Sequence, residues 1–151
     1  MVIYEGIFFD EESIELVRHL EKVRLPIAND EIHCTFKFRP QKDEILDELV
    51  GRELEVFVIG YGCDGRNSGF EVQLPDDLMQ YYINYEEREP NKLKKPHITT
   101  SLVQGAKPIN TKNLKFERLP MPYKIKGRFG YWIRDGNVGY ISYDKYNIDK
   151  S

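Results

Sequence analysis

Residues 31–40 read EIHCTFKFRP. Alternation of this kind describes a half-buried strand, with Ile32, Cys34, Phe36 and Phe38 on one face and His33, Thr35, Lys37 and Arg39 on the other. The apolar face is ordinary. The polar face carries an imidazole, a hydroxyl and two cations in succession, and the pattern returns in KPHITTSLVQG, where His97 and Thr99 stand in the same relation. The chain has three histidines, and two of them open a His-x-Thr at the mouth of a strand-like run. With four threonines in 151 residues, a double occurrence by chance is improbable.

Working outward from this strand, βα alternation emerges. Val2 to Phe9 reads as a strand, and Asp10 caps a helix with an acidic first turn and an apolar stripe of Ile14, Leu16, Val17, Leu20 and Val23. Pro40 to Val50 carries Ile45, Leu46 and Leu49 at helical spacing with Gly51 as a stop, so a second helix is expected there. Leu54 to Tyr61 is a long apolar strand, GCDGRNSGF is a turn region, and Gly69 to Leu74 alternates as a strand. Leu78, Tyr81, Tyr82 and Tyr85 line one face of a helix after Pro75. A strand from His97 to Val103 follows, then a hairpin of Tyr123–Arg134 and Val138–Tyr143 around Asp135-Gly136-Asn137. The class is α+β with more strand than helix, in a single domain over residues 1–151.

Composition narrows the function. The net charge of −3 argues against gripping a long nucleic acid chiefly through its phosphates, which needs a broad basic face. Two cysteines at unrelated positions fit neither a disulfide framework nor zinc spacing, so no metal and no cofactor are expected. Met1 to Phe9 is apolar but short, lacks a basic start and runs into Asp10-Glu11-Glu12, so a cytoplasmic protein without a membrane association is expected. His19 in the first helix reads as a solvated position, and Cys34 as a core thiol turned away from His33.

The chemistry of a paired His-x-Thr is specific. Side chains two apart on a strand point the same way, so His33 projects with Thr35 and His97 with Thr99. If the two strands face one cleft, one imidazole removes a proton from an attacking oxygen while the other protonates the departing one, and the hydroxyls receive phosphate oxygens. Alternation adds Lys37 and Ser101 close to the phosphate and Arg39 at the rim. Tyr4, Tyr131 and Trp132 are the best placed of many aromatic residues to stack on a base.

With HCTF and HITT as its two motifs, the chain resembles the 2H phosphoesterases. The layout from the first strand through HCTFKF, GRELEVFVIGYG, KPHITTSLVQG and KIKGRFGYW is similar to the cyclic phosphodiesterase domain of plant and fungal tRNA ligases and to small phage enzymes that destroy cyclic-oligonucleotide alarm signals. The resemblance implies a two-lobed fold in which antiparallel sheets line a central cleft with helices outside. It implies metal-independent cleavage at a cyclic phosphate, His33 and His97 serving as acid and base in an order the sequence leaves open, and Thr35 and Thr99 binding phosphate oxygens. Lys37 and Arg39 are not part of the shared pattern. The basic residues Lys37, Arg39, Lys92, Lys94 and Lys95 flank the motifs, which favours a small nucleotide or cyclic oligonucleotide as substrate. RNA ends carrying a 2′,3′-cyclic phosphate are the alternative substrate, and a non-catalytic nucleotide-binding module is the alternative function.

Overall fold

The computed structural model describes residues 2–29, 32–41, 43, 45–86, 95–133 and 138–139. The chain runs β1 (Val2–Phe9), α1 (Glu11–Leu20), β2 (Ile27–Ala28), β3 (His33–Phe38), β4 (Glu53–Cys63), β5 (Asn67–Gln73), α2 (Asp76–Glu86), β6 (His97–Leu102), a 3₁₀ helix (Pro108–Asn113), β7 (Glu117–Ile133) and β8 (Val138–Gly139).

Local chemistry accounts for most of these boundaries. The Asp10 carboxylate accepts from the Ser13 amide at 2.8 Å, capping α1, and those bonds from Ser13 hold its pKa below the ordinary carboxylate value. Asp64 closes the β4–β5 turn by accepting from the amides of Arg66 and Asn67, with Gly65 at φ +85°. β7 begins earlier than the sequence pattern predicts and contains Pro120 and Pro122. Both prolines fall where the β4–β7 register breaks, between Arg118 and Tyr123, so neither costs a ladder hydrogen bond. The expected hairpin partner is present as β8, which pairs Trp132 with Val138, while the Asp135-Gly136-Asn137 turn lies outside the described residues.

Among the described residues one expected element does not form. The described residues from 45 to 52 make a run of tight turns, with the amides of Asp47, Leu49, Val50 and Arg52 bonded to nearby carbonyls, in place of a helix over Pro40–Val50. Tertiary partners take the groups a helix would use. The Leu46 amide donates to the buried Glu5 carboxylate, and the Gly51 amide donates to Phe129. Ile45 and Leu49 still reach the core, so their spacing marked burial and not helix.

The strands form one antiparallel sheet in the order β2-β6-β5-β4-β7-β1-β3, with β8 beside β7. β6 and β3 stand near opposite ends of that order yet touch, so the sheet curls into a half-barrel that brings the two motif strands together. One core face gathers Ile7, Cys34, Phe36, Val56, Phe70, Ile98 and Phe129, and both helices feed it through Val17, Leu78 and Tyr82. Phe36 meets Phe129 and Tyr82 edge-on, at ring distances of 5.1 and 5.4 Å. No described helix is long and apolar enough to cross a membrane.

Candidate active site

The two motifs occupy equivalent places in two half-sheets. In the half β3-β1-β7, His33 lies opposite Phe8 and Thr35 opposite Gly6, and Gly6 is opposite Gly130. In the half β6-β5-β4, His97 lies opposite Glu71 and Thr99 opposite Gly69, and Gly69 is opposite Gly62. Residues directly opposite share a face of the sheet, so each threonine fronts a lane of two glycines. The glycine is obligatory beside each motif. A Cβ on Gly6 would sit 2.1 Å from the Cys34 carbonyl oxygen, and one on Gly69 would sit 2.3 Å from that of Ile98.

A bulge follows each threonine. On β3 the register passes from Gly6–Thr35 to Glu5–Lys37, leaving Phe36 as the extra residue; on β6 it passes from Gly69–Thr99 to Ser68–Ser101, leaving Thr100. The bulges correct two expectations, because alternation from the motif residues stops there. Lys37 stands in the row of the buried Glu5 and Tyr131, on the other face from His33 and Thr35. Ser101 is buried, donates to the Glu21 carboxylate at 2.7 Å and accepts from the Leu25 amide at 3.0 Å.

Arg39 also departs from the pattern. β3 ends at Phe38, Arg39 takes φ +51°, and its guanidinium lies 5.4 Å over the exposed Phe38 ring, so strand alternation no longer fixes its direction. Tyr131 is fully buried with Val2, Ile45 and Ile133 and so is not a stacking surface. Tyr4 and Trp132, by contrast, are half-buried on the His33 face. Their rings lie 6.1 Å apart and nearly parallel, and Tyr4 stacks on the His33 imidazole at 4.5 Å and 16°.

The strands meet where the histidines emerge. Cys34 is buried beside the backbone N–H of His97, and burial pushes its thiol up to about 12, so it packs as an inert core group. Cys34 and Ile98 point into the core, which leaves both neighbouring histidines, each half-buried, on the face away from it.

His97 is set up in a defined tautomer. Its Nδ1 lies 2.8 Å from the Lys95 carbonyl, which can only accept, so Nδ1 carries the proton and Nε2 of the neutral ring keeps a lone pair. Desolvation, reinforced by the charge of Lys112, lowers its pKa below the ordinary 6.5 despite the opposing Lys95 hydrogen bond.

The threonines differ. Thr99 is buried, donates to the Pro108 carbonyl at 3.1 Å and shares a 2.7 Å hydrogen bond with the Thr111 hydroxyl, which in turn accepts from Asn67. The 3₁₀ helix therefore caps Thr99 and holds its proton. Thr35 is half-buried, and its hydroxyl has no hydrogen-bond partner among the described residues.

Several site neighbours escaped the sequence reading. Phe8, 5.7 Å from His33, was legible in the alternation Tyr4, Gly6, Phe8. Thr111, Lys112 and the Lys95 carbonyl carry no motif, and Glu21 lies far from β6 in sequence. A hollow of about 720 Å³ is lined by Phe8, Asp10, Glu53, Glu55, Lys126 and Arg128 among others and includes no residue of either motif. Among the described residues no three His, Cys, Asp or Glu side chains gather to hold a metal ion. No protein-family model matches the chain, and no curated protein matches it.

Proposed function

We propose that the chain is a metal-independent phosphodiesterase that opens a phosphodiester of a cyclic nucleotide or cyclic oligonucleotide through paired histidines. The observation that carries this reading is the meeting of β3 and β6 at Cys34 and His97, which puts two histidines from opposite parts of the sheet order on one face.

The environment of His97 fits a general base. At neutral pH its Nε2 accepts the proton of an attacking water or hydroxyl as that oxygen bonds to phosphorus. His33, protonated, delivers its proton to the oxygen whose bond to phosphorus breaks, so charge is not left on either oxygen. The Thr35 hydroxyl, unengaged among the described residues, donates to a non-bridging oxygen, while the Thr99 proton is held by Pro108. Phosphate recognition therefore falls mainly on the first motif.

The test is turnover of a panel comprising a 2′,3′-cyclic mononucleotide, cyclic di- and trinucleotides, and RNA with a 2′,3′-cyclic end, with products identified by mass and excess chelator present. His33→Ala and His97→Ala are each expected to lose about 10²-fold to 10⁴-fold in rate with the fold retained. Activity abolished by chelator and restored by zinc or manganese refutes the metal-independent mechanism. Activity confined to long RNA and collapsing in moderate salt replaces the small-ligand reading with RNA-end processing.

A further inference from the structure

Two rings from different rows of the sheet meet over β1. Tyr4 belongs to the row Trp132–Tyr4–Phe38, and His33 to the row Arg128–Phe8–His33. Between them runs the row Gly130–Gly6–Thr35, whose two glycines have no side chains. Alternate residues of a strand stand nearly 7 Å apart, so rings two rows apart normally do not touch. Here the bare lane lets Tyr4 and Phe8 lean together to 5.8 Å, with the His33 imidazole 4.5 Å from Tyr4 and 5.7 Å from Phe8. Trp132, nearly parallel to Tyr4, backs the stack.

We propose that Tyr4 is a positioning residue for His33: its ring holds the imidazole in the orientation proton transfer requires, instead of stacking on a substrate base. The inference rests on the phosphodiesterase reading of the site. An imidazole has two side-chain torsions, and a small misplacement of its nitrogen from the departing oxygen costs much of the benefit of a general acid. His97 is oriented by a hydrogen bond to Lys95, and the stack with Tyr4 supplies an orienting contact of another kind to His33. An aromatic face also attracts a cation, so it suits an imidazolium that must carry a proton until the bond breaks. The space exists because position 6 is glycine, which the β3 backbone already forces.

The test has two readouts. In proton NMR of the wild-type protein, the His33 ring protons are expected upfield of a free imidazole and to show cross-relaxation with the Tyr4 ring. Tyr4→Phe keeps the upfield position and Tyr4→Leu loses it. In kinetics, Tyr4→Leu is expected to lower kcat about 10-fold to 100-fold with KM little changed, while Tyr4→Phe restores most of the rate. Absence of the Tyr4–His33 cross-relaxation in the wild type overturns the proposal without any variant having to fold. A Tyr4→Leu effect confined to KM overturns it too, since that marks a platform for substrate. If no cyclic phosphate is turned over, the catalytic reading fails, and the resonance measurements still decide whether Tyr4 holds His33.

Discussion

Replacing Glu21 with alanine is expected to loosen β6 and the end of α1 together. Glu21 caps the C-terminus of α1, and its Oε2 accepts from Ser68 at 2.8 Å, Thr100 at 2.5 Å and Ser101 at 2.7 Å. All three hydroxyl residues are buried, while Glu21 is half-buried. In Glu21→Ala, the Thr100 proton can turn to the Ser68 carbonyl at 2.9 Å and the Ser68 proton to the Tyr61 hydroxyl at 2.7 Å. Ser101, which already accepts from Leu25, has no second acceptor among the described residues. One hydroxyl then loses a charge-assisted bond worth about 1.5 to 3 kcal/mol, and two others exchange charged for neutral acceptors at about 0.5 to 1 kcal/mol each. Water entering at the half-exposed position recovers part of this, leaving about 2 to 3 kcal/mol. Glu21→Gln, which keeps an acceptor oxygen, should cost about half as much. The assay is urea unfolding followed by far-ultraviolet circular dichroism, with an unchanged m value to show that the unfolded states are comparable. A Glu21→Ala protein within about 0.5 kcal/mol of wild type refutes the reasoning, because the three hydroxyls would then be as well served without the carboxylate.

Four further outcomes follow, two from the environment of His97 and two from the strand geometry. Because the His97 pKa is lowered on folding, protons favour the unfolded chain: stability should rise with pH up to the ordinary 6.5 and be lost as pH falls below it, and urea midpoints of His97→Gln should show less of this slope. The same titration predicts that kcat/KM declines on the acid side with a midpoint below 6.5 in steady-state assays. Thr99→Val should cost about 1 to 3 kcal/mol in urea unfolding by taking a partner from the buried Thr111 hydroxyl, whereas Thr35→Val should leave stability nearly intact and reduce turnover. Lys37→Ala should leave kcat and KM unchanged, since the bulge at Phe36 turns Lys37 from the motif face; a rise in KM would put it back beside the substrate.

How far the sequence reaches can be seen along the motif strands themselves. Period-two alternation correctly separates His33 and Thr35 from Cys34 and Phe36, because side chains of successive residues must leave opposite faces of a strand. Neighbours within a few residues likewise set the α1 cap at Asp10 and the turn at Gly65, and the run of such patterns gives the α+β class, with more strand than helix. Beyond Thr35 and Thr99 alternation fails for Lys37 and Ser101, since a bulge is a relation between two strands and the partner is not adjacent in sequence. The helix expected over Pro40–Val50 fails likewise: its spacing recorded which residues are buried, and the distant partners Glu5 and Phe129 decided the backbone. That two His-x-Thr motifs exist was therefore determined by sequence alone. That they share a face, that Thr99 is capped while Thr35 is not, and that His33 stacks on Tyr4 required the curl of the sheet, which sums small twists over the five ladders β6–β5, β5–β4, β4–β7, β7–β1 and β1–β3 and so belongs to no single stretch of the chain.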